Sequence, residues 1–126
     1  MPNFHNIFVY GTLKRGQWNH EWFLSGAIFL GAGQTKQPFA MHDAYGFPTV
    51  AESPRIYPIR GEAFAVTDAE LAALDRLEQH PRFYTRRQTR IVLDDGQRLD
   101  AWLYFGQAVP GYRWMPSGLW WPGRCG

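Results

Sequence analysis

One cysteine, Cys125, stands in a chain of 126 residues, and serine is nearly as scarce, at 25, 53 and 117. A lone thiol forms no intramolecular disulfide and builds no cysteine-based metal cluster. It reads as a tolerated tail thiol and fits a reducing compartment, so a cytoplasmic location is expected. No G-x-S-x-G elbow surrounds the serines, which argues against a serine nucleophile. Lysine is rare too: of the 13 Lys and Arg side chains only Lys14 and Lys36 are lysine, and the other 11 are arginine. The arginines are scattered, except in RFYTRRQTR (82–90), and the formal net charge is only +2. Scattered charge is usually a solvated surface, so nucleic acid is not an expected partner. No apolar run approaches the length of a membrane span, and no membrane association is expected. The first residues, MPNFHNIFVYG, lack the basic-then-apolar order of a secretory signal and read as a first strand. Four histidines, at 5, 20, 42 and 80, are too dispersed for a zinc spacing. Neither a Walker loop nor a G-x-G-x-x-G after a strand is present.

What the chain has is aromatic and turn-forming residues. Aromatics make up 17%, with six Trp, 13 Gly and nine Pro, which points to many turns and short strands. The length suits one domain, 1–126, with a core large enough to need no staples. FHNIFVY (4–10) reads as a buried strand ended by Gly11. Asn19 is placed to cap a short helix over 20–25. Strands are expected over 27–36 and 58–66, with short strands or irregular edges among Pro38, Pro48 and Pro54. TDAELAALDRLEQ (67–79) is the clearest helix, with Thr67 and Glu70 forming a capping box and Pro81 stopping it. YTRRQTRIVLDDGQRLDAWLYF (84–105) reads as a hairpin turning at Asp94–Gly96. The Trp-, Gly- and Pro-rich tail, 106–126, has no period and is expected to fold back, since three exposed Trp would form a sticky patch. This order predicts an α+β fold with few helices, whose mixed sheet curls toward a barrel.

Within LDRLEQHP (74–81) one carboxylate sits on the wrong face. At about 100° per residue from Leu71, Leu74 falls at about 300°, Leu77 at about 240° and Glu78 at about 340°. Glu78 therefore lies in the apolar stripe. An ionised carboxylate buried without a partner costs several kcal/mol. Two readings follow. Either an arginine such as Arg82, Arg86 or Arg87 meets it (or the helix end frays outward), or it lines a pocket and moves protons with a raised pKa. In YGTLKRG (10–16), the first strand breaks into a Gly and a small hydroxyl residue. Gly lets backbone approach a ligand, and successive N–H groups in a turn make an anion-binding nest.

VYGTLKRGQWNH (9–20), RGEAFAV (60–66) and LDRLEQHPRFYTRR (74–87), in that order, resemble the γ-glutamylcyclotransferase-like superfamily. The resemblance is greatest to γ-glutamylamine cyclotransferases (AIG2-like proteins) and their bacterial relatives. It implies a small mixed β-barrel with helices on its rim. It also implies a loop that holds the substrate through Tyr10, Gly11, Thr12 and Leu13, and a catalytic Glu78. Tyr84 is expected to close the pocket or bond the substrate, and Arg86 to orient Glu78 or to sit on a strand face. The implied reaction turns a γ-glutamyl amine into 5-oxoproline and a free amine, with no cofactor and no metal. The expected partner is a small γ-glutamyl substrate. A γ-glutamyl peptide or protected metabolite as substrate, or binding without turnover, stays open as an alternative, as does weak nucleic-acid binding through Arg86, Arg87 and Arg90. The Trp-rich tail has no counterpart in the motifs.

Overall fold

A computed structural model describes residues 3–107 and 111–120. Five strands close into a barrel: β1 (Phe4–Val9), β2 (Ile28–Thr35), β5 (Arg60–Thr67), β6 (Thr85–Leu93) and β7 (Arg98–Phe105). Their order around the barrel is β1-β5-β2-β6-β7. Neighbours run antiparallel except at the closure, where β1 lies parallel to β7 through Ile7 and Trp102. Beside the barrel, β3 (Ala40–Asp43) pairs with β4 (Pro48–Ala51) and with β8 (Arg113–Trp114) from the tail. Among the described residues two helices complete the fold, α1 (His20–Phe23) and α2 (Asp68–Leu77). The fold class is thus α+β, a small mixed barrel with few helices.

The apolar run of β1 is explained by burial on both faces. Alternate side chains of a strand point to opposite sides. Phe8 joins the cluster that contains Met41, Ile91 and Leu103. Its neighbours Ile7 and Val9 join a second cluster with Leu24, Phe64, Leu71 and Leu74, under the helices. Backbones must also approach closely at the top of β5. A Cβ on Gly61 would lie 2.3 Å from the Val9 carbonyl oxygen, so only Gly allows this crossing.

Several elements differ from expectation at their ends. Helix α2 begins as read, with the Thr67 hydroxyl accepting from the Glu70 N–H and the Glu70 carboxylate accepting from the Thr67 N–H. It closes two residues earlier than the reading of 67–79, and Glu78 is its C-cap. The short helix α1 covers only 20–23, and the Asn19 side chain makes no cap bond. Its amide donates instead to the Thr12 hydroxyl at 2.9 Å. In the tail, Trp114 pairs with β3 and its ring lies 3.8 Å from the His42 ring. Trp120 is buried in the barrel cluster. Trp121 and Cys125 lie outside the described residues.

Candidate active site

The loop after β1 is shaped by its carbonyls. Lys14 N–H donates to the Gly11 carbonyl at 3.0 Å, and Asn19 N–H to the Thr12 carbonyl at 3.1 Å. The His20 ring lies 3.0 Å from the Leu13 carbonyl. With those acceptors used, the N–H groups of Gly11, Thr12 and Leu13 have no acceptor among the described residues. All three residues line a cavity of about 220 Å³. Three consecutive donors without partners suit an anion. Gly11 also packs beneath Pro48, whose Cγ would be 2.6 Å from a Cβ at that position.

Glu78 borders the same cavity, together with Leu77, Tyr10, Tyr84 and Tyr104. Leu71 and Leu74 bury the stripe of α2 and draw its C-terminus inward. Beyond the cap the chain turns sharply. Gln79 adopts a left-handed φ of 53°, and the Tyr84 N–H returns to the Glu78 carbonyl at 3.2 Å. No hydrogen bond or ion pair reaches the Glu78 carboxylate among the described residues. Burial without a partner raises its pKa to about 7. Such a group exists in both protonation states near neutrality, as a general base and acid requires.

Arg86 makes no hydrogen bond or ion pair with Glu78 among the described residues. Its guanidinium donates to both Asp75 oxygens, at 2.8 and 3.1 Å, and stacks over Trp102 at 4.2 Å. Arg87 is likewise engaged elsewhere, with Glu52. Two of the arginines that follow Glu78 in sequence thus have other carboxylates. Asp75 also accepts from the Tyr104 hydroxyl at 2.7 Å, and its carbonyl accepts from the His80 N–H at 2.9 Å. Burial pushes the Asp75 carboxyl up, but the bonds from Arg86 and Tyr104 outweigh it and hold the carboxyl below its ordinary value.

Three tyrosines surround the acid. Tyr10 donates to the Tyr104 carbonyl at 2.9 Å. The Tyr84 hydroxyl lies 2.8 Å from the Thr49 hydroxyl. All three phenols have raised pKa values, burial being the main cause in each, and so remain neutral donors. No group of His, Cys, Asp and Glu among the described residues is arranged to hold a metal ion.

The loop residues Tyr10–Leu13, Glu78 and Tyr84 are thus brought to one cavity, and Arg86 is not. Sequence reasoning missed Asn19, Pro48 and Tyr104 in the wall and Asp75 behind it. Tyr104 carried a signal: a Tyr on an apolar strand face needs a partner for its hydroxyl. Pro48 carried none, because it arrives from a separate hairpin.

A family model described as "Gamma-glutamyl cyclotransferase, AIG2-like" matches residues 7–121. The chain belongs to this family. A Methanocaldococcus jannaschii protein named "Putative gamma-glutamylcyclotransferase" is 43% identical over 99 residues, covering 79% of this chain and 82% of that one. The Bos taurus "Gamma-glutamylaminecyclotransferase" is 35% identical over 113 residues, covering 82% and 67%. Among solved structures, an aig2-like protein from Mus musculus superposes with a TM-score of 0.77 at 29% identity, over 86% of this chain and 81% of that one. These likenesses support an enzyme of the γ-glutamyl cyclotransferase kind. The family match takes in the loop, Glu78 and all of the described tail, so the cavity lies wholly within the family region.

Proposed function

We propose that this cyclotransferase-family protein converts a γ-glutamyl amine to 5-oxoproline and releases the amine, without a cofactor. The observation that carries the reading is the unpartnered Glu78 carboxylate sharing one cavity with the free N–H groups of 11–13. Nucleophile and electrophile belong to one substrate molecule, so the protein's task is to fold it and to move protons.

The α-nitrogen attacks the γ-carbonyl carbon, and the bond to the departing nitrogen breaks. Two protons leave the α-ammonium, and two arrive on the departing amine. Glu78 accepts and returns them one at a time, ending as it began. An ordinary carboxylate is a weak acceptor for an ammonium proton, and a pKa near 7 narrows that gap. Tyr10, Tyr84 and Leu13 wall the substrate and exclude water. The amides of 11–13 suit either the α-carboxylate or the oxyanion of the tetrahedral intermediate.

The test is 5-oxoproline release from a panel of γ-glutamyl amines and dipeptides by the purified protein. The reading expects release from at least one class and its loss in Glu78→Gln. Tight binding of the panel with no 5-oxoproline would replace it with a metabolite-binding role.

A further inference from the structure

Asp75 and Glu78 lie one turn apart on the same side of α2, yet their surroundings are opposite. Donors converge on Asp75. The Arg86 guanidinium donates to both of its oxygens, and the Tyr104 hydroxyl donates to Oδ1 at 2.7 Å. Among the described residues none donates to the Glu78 carboxylate.

The phenols around the cavity account for the difference. Besides Glu78, its titratable lining groups are Tyr10 from the end of β1, Tyr84 from the approach to β6 and Tyr104 from β7. Tyr10 gives its proton to the Tyr104 carbonyl, and Tyr84 pairs with the Thr49 hydroxyl. The partners of these two belong to the sheets. The acceptor of Tyr104 is different, a charged side chain on the helix that carries Glu78. The His80 ring, two residues past Glu78, is engaged through Nδ1 with the Arg86 N–H at 3.2 Å.

We infer that Asp75 is a positioning residue for proton transfer: by taking the Tyr104 hydroxyl, it keeps that phenol from donating to Glu78 and leaves Glu78 a competent base. The catalytic meaning rests on the cyclotransferase reading above, whereas the competition for the hydroxyl does not. A phenol that donates to a carboxylate favours its ionised form. Glu78 would then be a weaker acceptor for an ammonium proton. Asp75 holds the hydroxyl because an ionised acceptor makes the stronger bond. Its carboxyl is pushed up by burial but held below its ordinary value by the bonds from Arg86 and Tyr104, while Glu78 is about half protonated near pH 7.

A double-variant cycle tests it: wild type, Asp75→Ala, Tyr104→Phe and the two changes together, each labelled with glutamate carrying carbon-13 at the side-chain carboxyl. The Glu78 signal is the one missing from Glu78→Gln, and NMR follows its titration in each protein. Asp75→Ala should lower the midpoint by about one pH unit, the size of a hydrogen bond to an ionised group. Tyr104→Phe alone should leave the midpoint in place, and in the double variant it should recover most of the fall. A fall that persists in the double variant belongs to the lost charge of Asp75 or to the released Arg86, and overturns the inference, as does no fall at all. If Asp75→Ala does not fold, because Arg86 is left without its partner, Asp75→Ala is made with Arg86→Met and compared with the same protein carrying Tyr104→Phe. The acid limb of kcat/KM for a γ-glutamyl amine should move with the same midpoints. Because the titration needs no turnover, the expected midpoints in a protein that forms no 5-oxoproline support the competition and overturn only the proposed reaction.

Discussion

Glu78 is kept where an ordinary carboxylate would not stay ionised at neutral pH. Its pKa rises from 4.5 to about 7 because burial removes water and no cation replaces it. A base of this kind works only when deprotonated, so kcat/KM should rise with pH through about 7 as the free protein's Glu78 ionises. A flat profile between pH 5.5 and 8 would remove Glu78 from the proton path. The same shift acts on folding. The folded-state pKa lies above the unfolded one, so ionisation of Glu78 opposes folding. That penalty is absent below about pH 4.5 and complete above about pH 7. Glu78→Gln should therefore lower turnover by roughly 10²–10⁴-fold while raising unfolding free energy at pH 8 by roughly 2 kcal/mol, a figure reduced for the part of the side chain still in contact with water. Urea titrations at pH 8 and pH 4 check this, since the gain should vanish at the lower pH.

Helix α2 delivers Glu78, and its two ends are fixed by different means. The capping box at Thr67 sets the start, and Thr67→Ala should cost about 1 kcal/mol. Asp75 sets the end by holding Arg86 of β6, Tyr104 of β7 and the His80 N–H together. Arg86→Met leaves Asp75 half-buried without its charge partner. We expect a loss of about 1–3 kcal/mol, with a fall in kcat as Glu78 shifts. Because the Asp75 carboxyl is held below its ordinary value, the stability it gives is present at neutral pH and lost as pH falls through that lowered value. Arg86→Met should thus be less acid-sensitive than wild type. In the loop after β1, Gly11→Val would drive a side chain into the Pro48 ring. A raised KM with kcat kept would show that the amides of 11–13 hold the substrate carboxylate. A lowered kcat with KM kept would show that they serve the oxyanion. Unchanged values of both would remove the loop from the site.

At the scale of the molecule, the tail is joined to the site loop. The buried Lys14 side chain, next to Leu13, donates to the Trp120 carbonyl at 2.8 Å. Trp120 in turn meets Trp18 edge to face at 6.2 Å, and Trp18 meets Phe47, a cavity-wall residue, at 5.9 Å. Trp120→Ala should cost roughly 3–5 kcal/mol and raise KM, measured by thermal denaturation and substrate titration. A stability loss with unchanged KM would separate the tail from the cavity. Much of this molecule is legible in its sequence. The buried first strand, the capped helix, the Asp-Asp-Gly hairpin and Glu78 on an apolar stripe all follow from local period and turn chemistry. Local period says which face of an element is apolar, but not what will cover it. The parallel closure of β1 on β7, the pairing of Arg86 with Asp75 and the seating of Trp120 had to wait for the fold. These contacts join distant parts of the chain, as the Tyr10–Tyr104 bond does across 94 positions. Sequence by itself placed a carboxylate on a greasy face; tertiary packing decided that no arginine would neutralise it, because Arg86 and Arg87 found other carboxylates and Arg82 stays exposed, away from the Glu78 carboxylate.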